Sequence, residues 1–113
     1  MTLLRIVLVV HLALLTAYTA VVIGNHGLNL FPAFFGDIAI MGWAGQFNFD
    51  FMGFLILSAL WTAWRNAFSG LGLLLAVVAF FGGMMFLSIY LLILSFNARS
   101  IPEILLGNAA RSA

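Results

Sequence analysis

The stretch that decides the fold reads Gly45-Gln46-Phe47-Asn48-Phe49-Asp50-Phe51-Met52-Gly53-Phe54, runs on through Leu55 to Leu60, and ends Trp61-Thr62-Ala63-Trp64-Arg65. It is an apolar helix with a carboxylate near its start and two tryptophans and an arginine at its end. Its length, about 18 residues from Phe47 to Trp64, is close to what crosses a hydrocarbon core of about 30 Å. The rest of the chain supplies the same signal twice more.

The 113 residues make one domain, 65% hydrophobic and 6% charged. Soluble domains carry about 25% charged residues, so this chain has too few polar side chains to cover a water-facing surface. Its solvent is the bilayer. A net charge of +1 without a Lys/Arg cluster gives nucleic acid nothing to hold. The absence of cysteine excludes disulfides, thiolate metal sites and Cys nucleophiles.

The expected fold class is an all-α integral membrane protein with three transmembrane helices. The spans are predicted over about 3–24, 47–65 and 71–96. The first has Arg5 near its start and is otherwise apolar apart from His11. A secretory signal peptide is its competing reading, but Leu15, Tyr18 and the threonines give no small-x-small cleavage pattern. Asn25-His26-Gly27 breaks it with turn residues. The segment from Leu28 to Gly45 is apolar but punctuated by Pro32, Gly36, Asp37 and Gly42. It is predicted to form an interfacial or re-entrant half-helix, with Trp43 at headgroup depth. Ser69 is positioned to cap the third span. That span carries no charge over its 26 residues, and its Gly82-Gly83 reads as close packing or a kink. Ser100-Ile101-Pro102-Glu103 has the S-x-x-E spacing of a capping box, opening a short C-terminal surface helix.

Lys/Arg placement sets orientation. The loop from Asn25 to Gln46 has neither and is expected outside. Arg5 and Arg65 then fall in the cytoplasm, and Arg99 and Arg111 outside. The expectation is a multi-pass protein of the inner (plasma) membrane, N-terminus cytoplasmic and C-terminus extracytoplasmic.

Small residues let membrane helices approach closely. Ala13, Ala17, Ala20 and Gly24 form one such stripe. Gly72, Ala76, Ala79 and Gly83 form another. Both are expected to be packing seams, within one chain or between chains.

Few side chains carry chemistry. Asp50 has two readings: a first-turn acid complementing the helix dipole, or a proton, cation or ligand site. In the second, Gln46, Asp37 and His26 join it in one polar cluster. His11 is either hydrogen-bonded to a neighbouring helix or a buried ligand. A haem or chlorophyll on His11 stays open, although the sequence requires no cofactor. His11 and His26 are about 22 Å apart along a helix and do not share one metal, and no metal site is expected. Trp43, Trp61, Trp64 and Arg65 read as interface anchors, or as part of a lipid pocket. There is no nucleophile–base pair, metal-ligand spacing or phosphate-binding glycine loop, so no enzyme is expected.

The region from Leu30 to Arg65, with its Phe-rich half-helix, its aromatic-flanked Asp50 and its Trp-x-x-Trp-Arg ending, resembles small three-helix bacterial membrane proteins of a domain-of-unknown-function family. The resemblance implies architecture and a bacterial inner-membrane location, and no activity. The leading functional expectation is an accessory or structural subunit of a larger membrane complex, with other membrane subunits or further copies of the chain as partners in the lipid bilayer. The alternatives are a self-assembling transporter or channel with Asp50 in its polar path, and a lipid- or isoprenoid-binding membrane protein.

Overall fold

The computed structural model describes residues 1–108. Five helices follow in order: α1 (Thr2–His26), α2 (Phe31–Ile40), α3 (Trp43–Arg65), α4 (Gly70–Asn97) and α5 (Ile101–Leu106). Three of them, α1, α3 and α4, are long and apolar enough to cross a membrane. The shorter apolar α2 lies between the first two, and α5 follows the last.

Helix α1 ends where Gly27 adopts φ 80°, its N–H donating to the Ile23 carbonyl at 2.8 Å. Pro32 sits in the first turn of α2, where the missing N–H costs nothing. Only Met41 and Gly42 separate α2 from α3, and Met41 makes the turn in the left-handed region (φ 62°). The two helices then lie against each other. Asn48 Nδ2 donates to the Phe34 carbonyl at 3.1 Å, and the buried Gly45 lets the Asp37 backbone approach so closely that a Cβ would overlap its carbonyl oxygen.

Between α3 and α4 the chain turns through Ala67 and Phe68, both at positive φ. Ser69 caps α4 by accepting from the Gly72 N–H at 3.1 Å. The seam between them is built from small residues: Ala63, Gly72 and Ala79 are all buried, and a Cβ on Gly72 would come within 2.6 Å of Asn66 Cβ.

Length and composition qualify α4 as a span, but its path is not straight. At Gly83 the backbone takes φ 57°, ψ −139°, and the helix bends sharply. The side chains show how far. Asn66 abuts Gly72 on one arm, and its Nδ2 donates to the Tyr90 hydroxyl on the other at 3.0 Å. In a straight helix those 18 residues would span about 27 Å. The arm 70–82 therefore runs antiparallel to α3, and the arm 84–97 returns parallel to it. Gly83 faces Phe51 and Leu55 in the middle of α3. Asn97 and Ala98 line one hollow with Arg65 at its end. Each arm is about 20 Å long, less than the roughly 30 Å of a hydrocarbon core.

The fold-back brings three arginines to one end. Arg5 Nε and Nη2 donate to Ser95 Oγ (3.1 Å) and the Ser95 carbonyl (2.6 Å), fixing the start of α1 beside the returning arm. Arg65 ends α3 there, and Arg99 follows α4 directly. Arg99 thus stands at the same end of the helices as Arg5 and Arg65, where a straight α4 would have carried it to the other, because the bend at Gly83 reverses the direction of the chain. Arg111 lies outside the described residues.

Helix α5 closes this end. Its cap differs from the expected capping box in one bond: Ser100 Oγ accepts from the Glu103 N–H, but Glu103 Oε2 reaches one residue further back to the Arg99 N–H at 2.9 Å. Ile104 is 1% exposed. Trp61 Nε1 donates to the Leu105 carbonyl at 3.0 Å, Arg65 Nε donates to the Ile104 carbonyl, and the Asn108 N–H donates to the Arg65 carbonyl at 2.9 Å.

Candidate functional site

A cleft of about 600 Å³ lies between α1, α3, the returning arm of α4 and α5. Its wall on α3 runs from Phe51 to Trp61; on α4 it runs from Gly83 through Met84 and Leu87 to Leu91. Leu105 of α5 closes one end. Nearly all of this lining is apolar, which in a membrane selects hydrocarbon rather than water. Two polar side chains interrupt it, His11 from α1 and Ser58 from α3.

Their placement follows from the packing already described. Arg5 is beside Ser95, and the returning arm runs parallel to α3 toward Arg65. His11 is six residues past Arg5, and Ser58 is seven residues before Arg65. At 1.5 Å per residue, each lies about 10 Å along its own helix from its arginine. Ser58 Oγ is buried and has no hydrogen-bond partner. Other polar side chains in these helices fall back on a carbonyl of the preceding turn: Thr62 on Ser58, Asn66 on Thr62, Ser95 on Leu92 and Asn97 on Ile93. Ser58 does not. The second unpartnered hydroxyl, Ser88, is fully buried and does not line the cleft.

The tryptophan–arginine ending of α3 contributes the cleft's closed end. Trp61 spends its indole N–H on α5 and stacks edge-to-face with Tyr90, ring centres 6.1 Å apart. Tyr90 also accepts from Arg65 Nη1 at 3.3 Å and stacks on Phe86. Trp61 and Arg65 therefore clamp α5, while Trp64 and Trp43 remain exposed. Trp43, placed by sequence in the preceding half-helix, is the first residue of α3. Sequence reasoning passed over Tyr90. Its one signal was being the sole phenol in the uncharged run from Leu71 to Phe96.

The expected polar cluster is only partly brought together. Gln46 and Asp50 line one small hollow with Ile38, Met41 and Gly45. His26 lies in another, formed by α1 alone with Tyr18, Val22 and Asn25. Asp37 serves the α2–α3 contact through its backbone. The first-turn role for Asp50 is corrected, because α3 starts at Trp43 and Asp50 lies two turns inside, about 10 Å from the helix start. Among the described residues the Asp50 carboxylate has neither a hydrogen bond nor an ion pair, and no group of three or more His, Asp or Glu side chains is placed to hold a metal.

The two small-residue stripes have different fates. Gly72 and Ala79 pack in the α3–α4 seam, with Ala76 half-buried beside them, and Gly83 makes the bend. Ala13, Ala17, Ala20 and Gly24 are exposed, on a face of α1 turned away from α4.

Compared with protein-family models, curated proteins and solved structures, the chain matches none.

Proposed function

We propose that this is an integral membrane protein that holds an apolar bilayer constituent, a lipid or isoprenoid, in the cleft between α1, α3 and the returning arm of α4. The observation that carries this reading is the cleft itself: about 600 Å³ lined by Phe, Leu and Met side chains, closed by Leu105 and Trp61 at the arginine end. Pockets for small molecules are typically apolar and of this size, with a few polar groups that fix orientation. The same reading orients the protein. Arg5, Arg65 and Arg99 lie at one end, which the positive-inside rule places in the cytoplasm of an inner (plasma) membrane. The α2 end then faces outward.

Purification in mild detergent followed by lipid extraction and mass spectrometry tests this. One molecular class should be enriched over the bulk membrane, and Leu87→Trp, which fills the cleft, should abolish the enrichment without loss of helical circular dichroism. An extract matching the bulk membrane in both proteins would refute the reading.

A second reading, a subunit of a larger assembly or of a homo-oligomer, draws on Asp50 and α1. A carboxylate in the bilayer is costly unless paired, and Asp50 has no partner within its own chain. The exposed Ala13-Ala17-Ala20-Gly24 face suits close helix contact. Native mass spectrometry giving only the mass of a single chain would count against it.

A further inference from the structure

We infer that a second copy of this chain docks at the α2 end, laying the last turns of its α1 against Gln46 and Asp50 of α3. The inference rests on the assembly reading above and names the partner and the two faces that reading leaves open. It starts from how far α4 reaches. Helix α1 packs on α4, through a stripe of covered residues at Leu8, Leu12, Leu15 and Thr19. There the cover ends, and every residue from 20 to 26 is exposed. The returning arm is about 20 Å long and α1 about 37 Å, so α1 outreaches its support. This part of α1 gathers Tyr18, Asn25 and His26 around one shallow hollow with Ala17 and Val21. Tyr18 is 73% exposed. None of these three polar side chains makes a hydrogen bond among the described residues.

The two faces are chemically complementary. An ionised carboxylate only accepts hydrogen bonds, whereas a phenol, an amide and an imidazole each present a donor. Asp50 is exposed and unpartnered among the described residues, and α1 contains no Asp or Glu to repel it. An acid inside the bilayer is costly and pairs with a neighbour. Within one chain the two faces stay apart: the Asp50 hollow is walled by α2 and α3, the Tyr18 hollow by α1 alone. Copies inserted in the same direction are related by an axis along the membrane normal, which leaves depth unchanged. Both faces stand at the end where α1 finishes and α3 starts. Asp50 is about 10 Å along α3 from its start, and Tyr18 about 12 Å along α1 from its end. Rotation therefore carries the α1 donors of one copy to the α3 acceptor of the next. The chain supplies both halves of the contact, which is why the occupant is a second copy. Neither hollow shares a residue with the cleft, so assembly and ligand binding are separable.

Native mass spectrometry of the protein extracted in mild detergent, together with disulfide trapping, tests the inference. The chain has no cysteine, so a copy carrying Val21→Cys on α1 and a differently tagged copy carrying Phe49→Cys on α3 cross-link to each other only between chains. Oxidation in the membrane should trap that pair well above the yield of Val21→Cys with Leu73→Cys, an exposed position on the α4 arm 70–82. Asp50→Leu should weaken the dimer by about three- to tenfold, the worth of one interhelical hydrogen bond in a bilayer. Adding Tyr18→Phe and His26→Leu to it should weaken the dimer no further, because those donors have already lost their acceptor. Circular dichroism reports that the variants are folded. A dimer that gives no 21–49 cross-link, or whose affinity Asp50→Leu leaves unchanged, would overturn the assignment of the two faces while leaving assembly standing. So would an unrelated protein bound in place of the second copy. The mass of a single chain alone would overturn both.

Discussion

Three residues carry most of the structure's information at the smallest scale. Gly83 lies at φ 57°, ψ −139°, a backbone region essentially reserved for glycine. Replacing it with alanine should cost about 1–3 kcal/mol in detergent unfolding, the usual range for a residue held in such a region. Gly45 is fixed by close approach instead. Its Cβ would strike the Asp37 backbone, which cannot rotate away as a side chain would. Gly45→Ala should therefore destabilise by about 1–3 kcal/mol through overpacking. Gly53→Ala, in the same helix with open space around it, should be neutral or slightly stabilising, since alanine is the better helix former by up to about 1 kcal/mol. Equal effects at positions 45 and 53 would contradict the α2–α3 packing. Asp50 shows what a residue-level reading misses. Its distance from the helix start depended on where α3 begins, which is at Trp43 behind Gly42. Asn48 ties α2 down through the Phe34 carbonyl, a contact across 14 positions that no local pattern announces.

At the scale of elements, α5 is the informative case. Six residues do not hold a helix alone in water. This one is held by its own cap, by buried Ile104, and by donors from Trp61 and Arg65 to its last carbonyls. Trp61→Phe keeps an aromatic ring and removes the N–H, so hydrogen exchange at residues 101–106 should accelerate by about two- to tenfold, consistent with one bond of about 0.5–1.5 kcal/mol. Unchanged exchange would show that the Trp61 bond does not hold α5. Much of this level was legible in the sequence. Three apolar runs gave the long helices, Ser69 and Ser100 gave caps, and Gly82-Gly83 gave close packing or a kink, of which the kink at Gly83 is found. The Trp-x-x-Trp-Arg ending was legible only as an aromatic belt. That Trp61 and Arg65 clamp a helix some 40 positions later is a tertiary fact, and periodicity records only which face is apolar.

The whole molecule depends on the direction of the chain after Gly83. Composition measures whether 28 residues are apolar enough to cross a bilayer, and they are. It does not measure whether they run straight. With the arm 84–97 folded back, Ser95 comes beside Arg5 and Tyr90 beside Asn66, and the returning arm becomes the wall of the cleft that holds the proposed ligand site. With a straight α4 there would be no such wall, and Arg99 would lie at the far end. The fold-back is therefore the claim on which both the orientation and the site rest. The chain contains no cysteine, so single substitutions can be labelled without background. Thr2→Cys, Asn29→Cys and Ala98→Cys, each probed in intact cells with a membrane-impermeant maleimide before and after permeabilisation, test it most directly. The account predicts that positions 2 and 98 react only after permeabilisation and position 29 reacts without it. Reaction of position 98 together with position 29 in intact cells would contradict it.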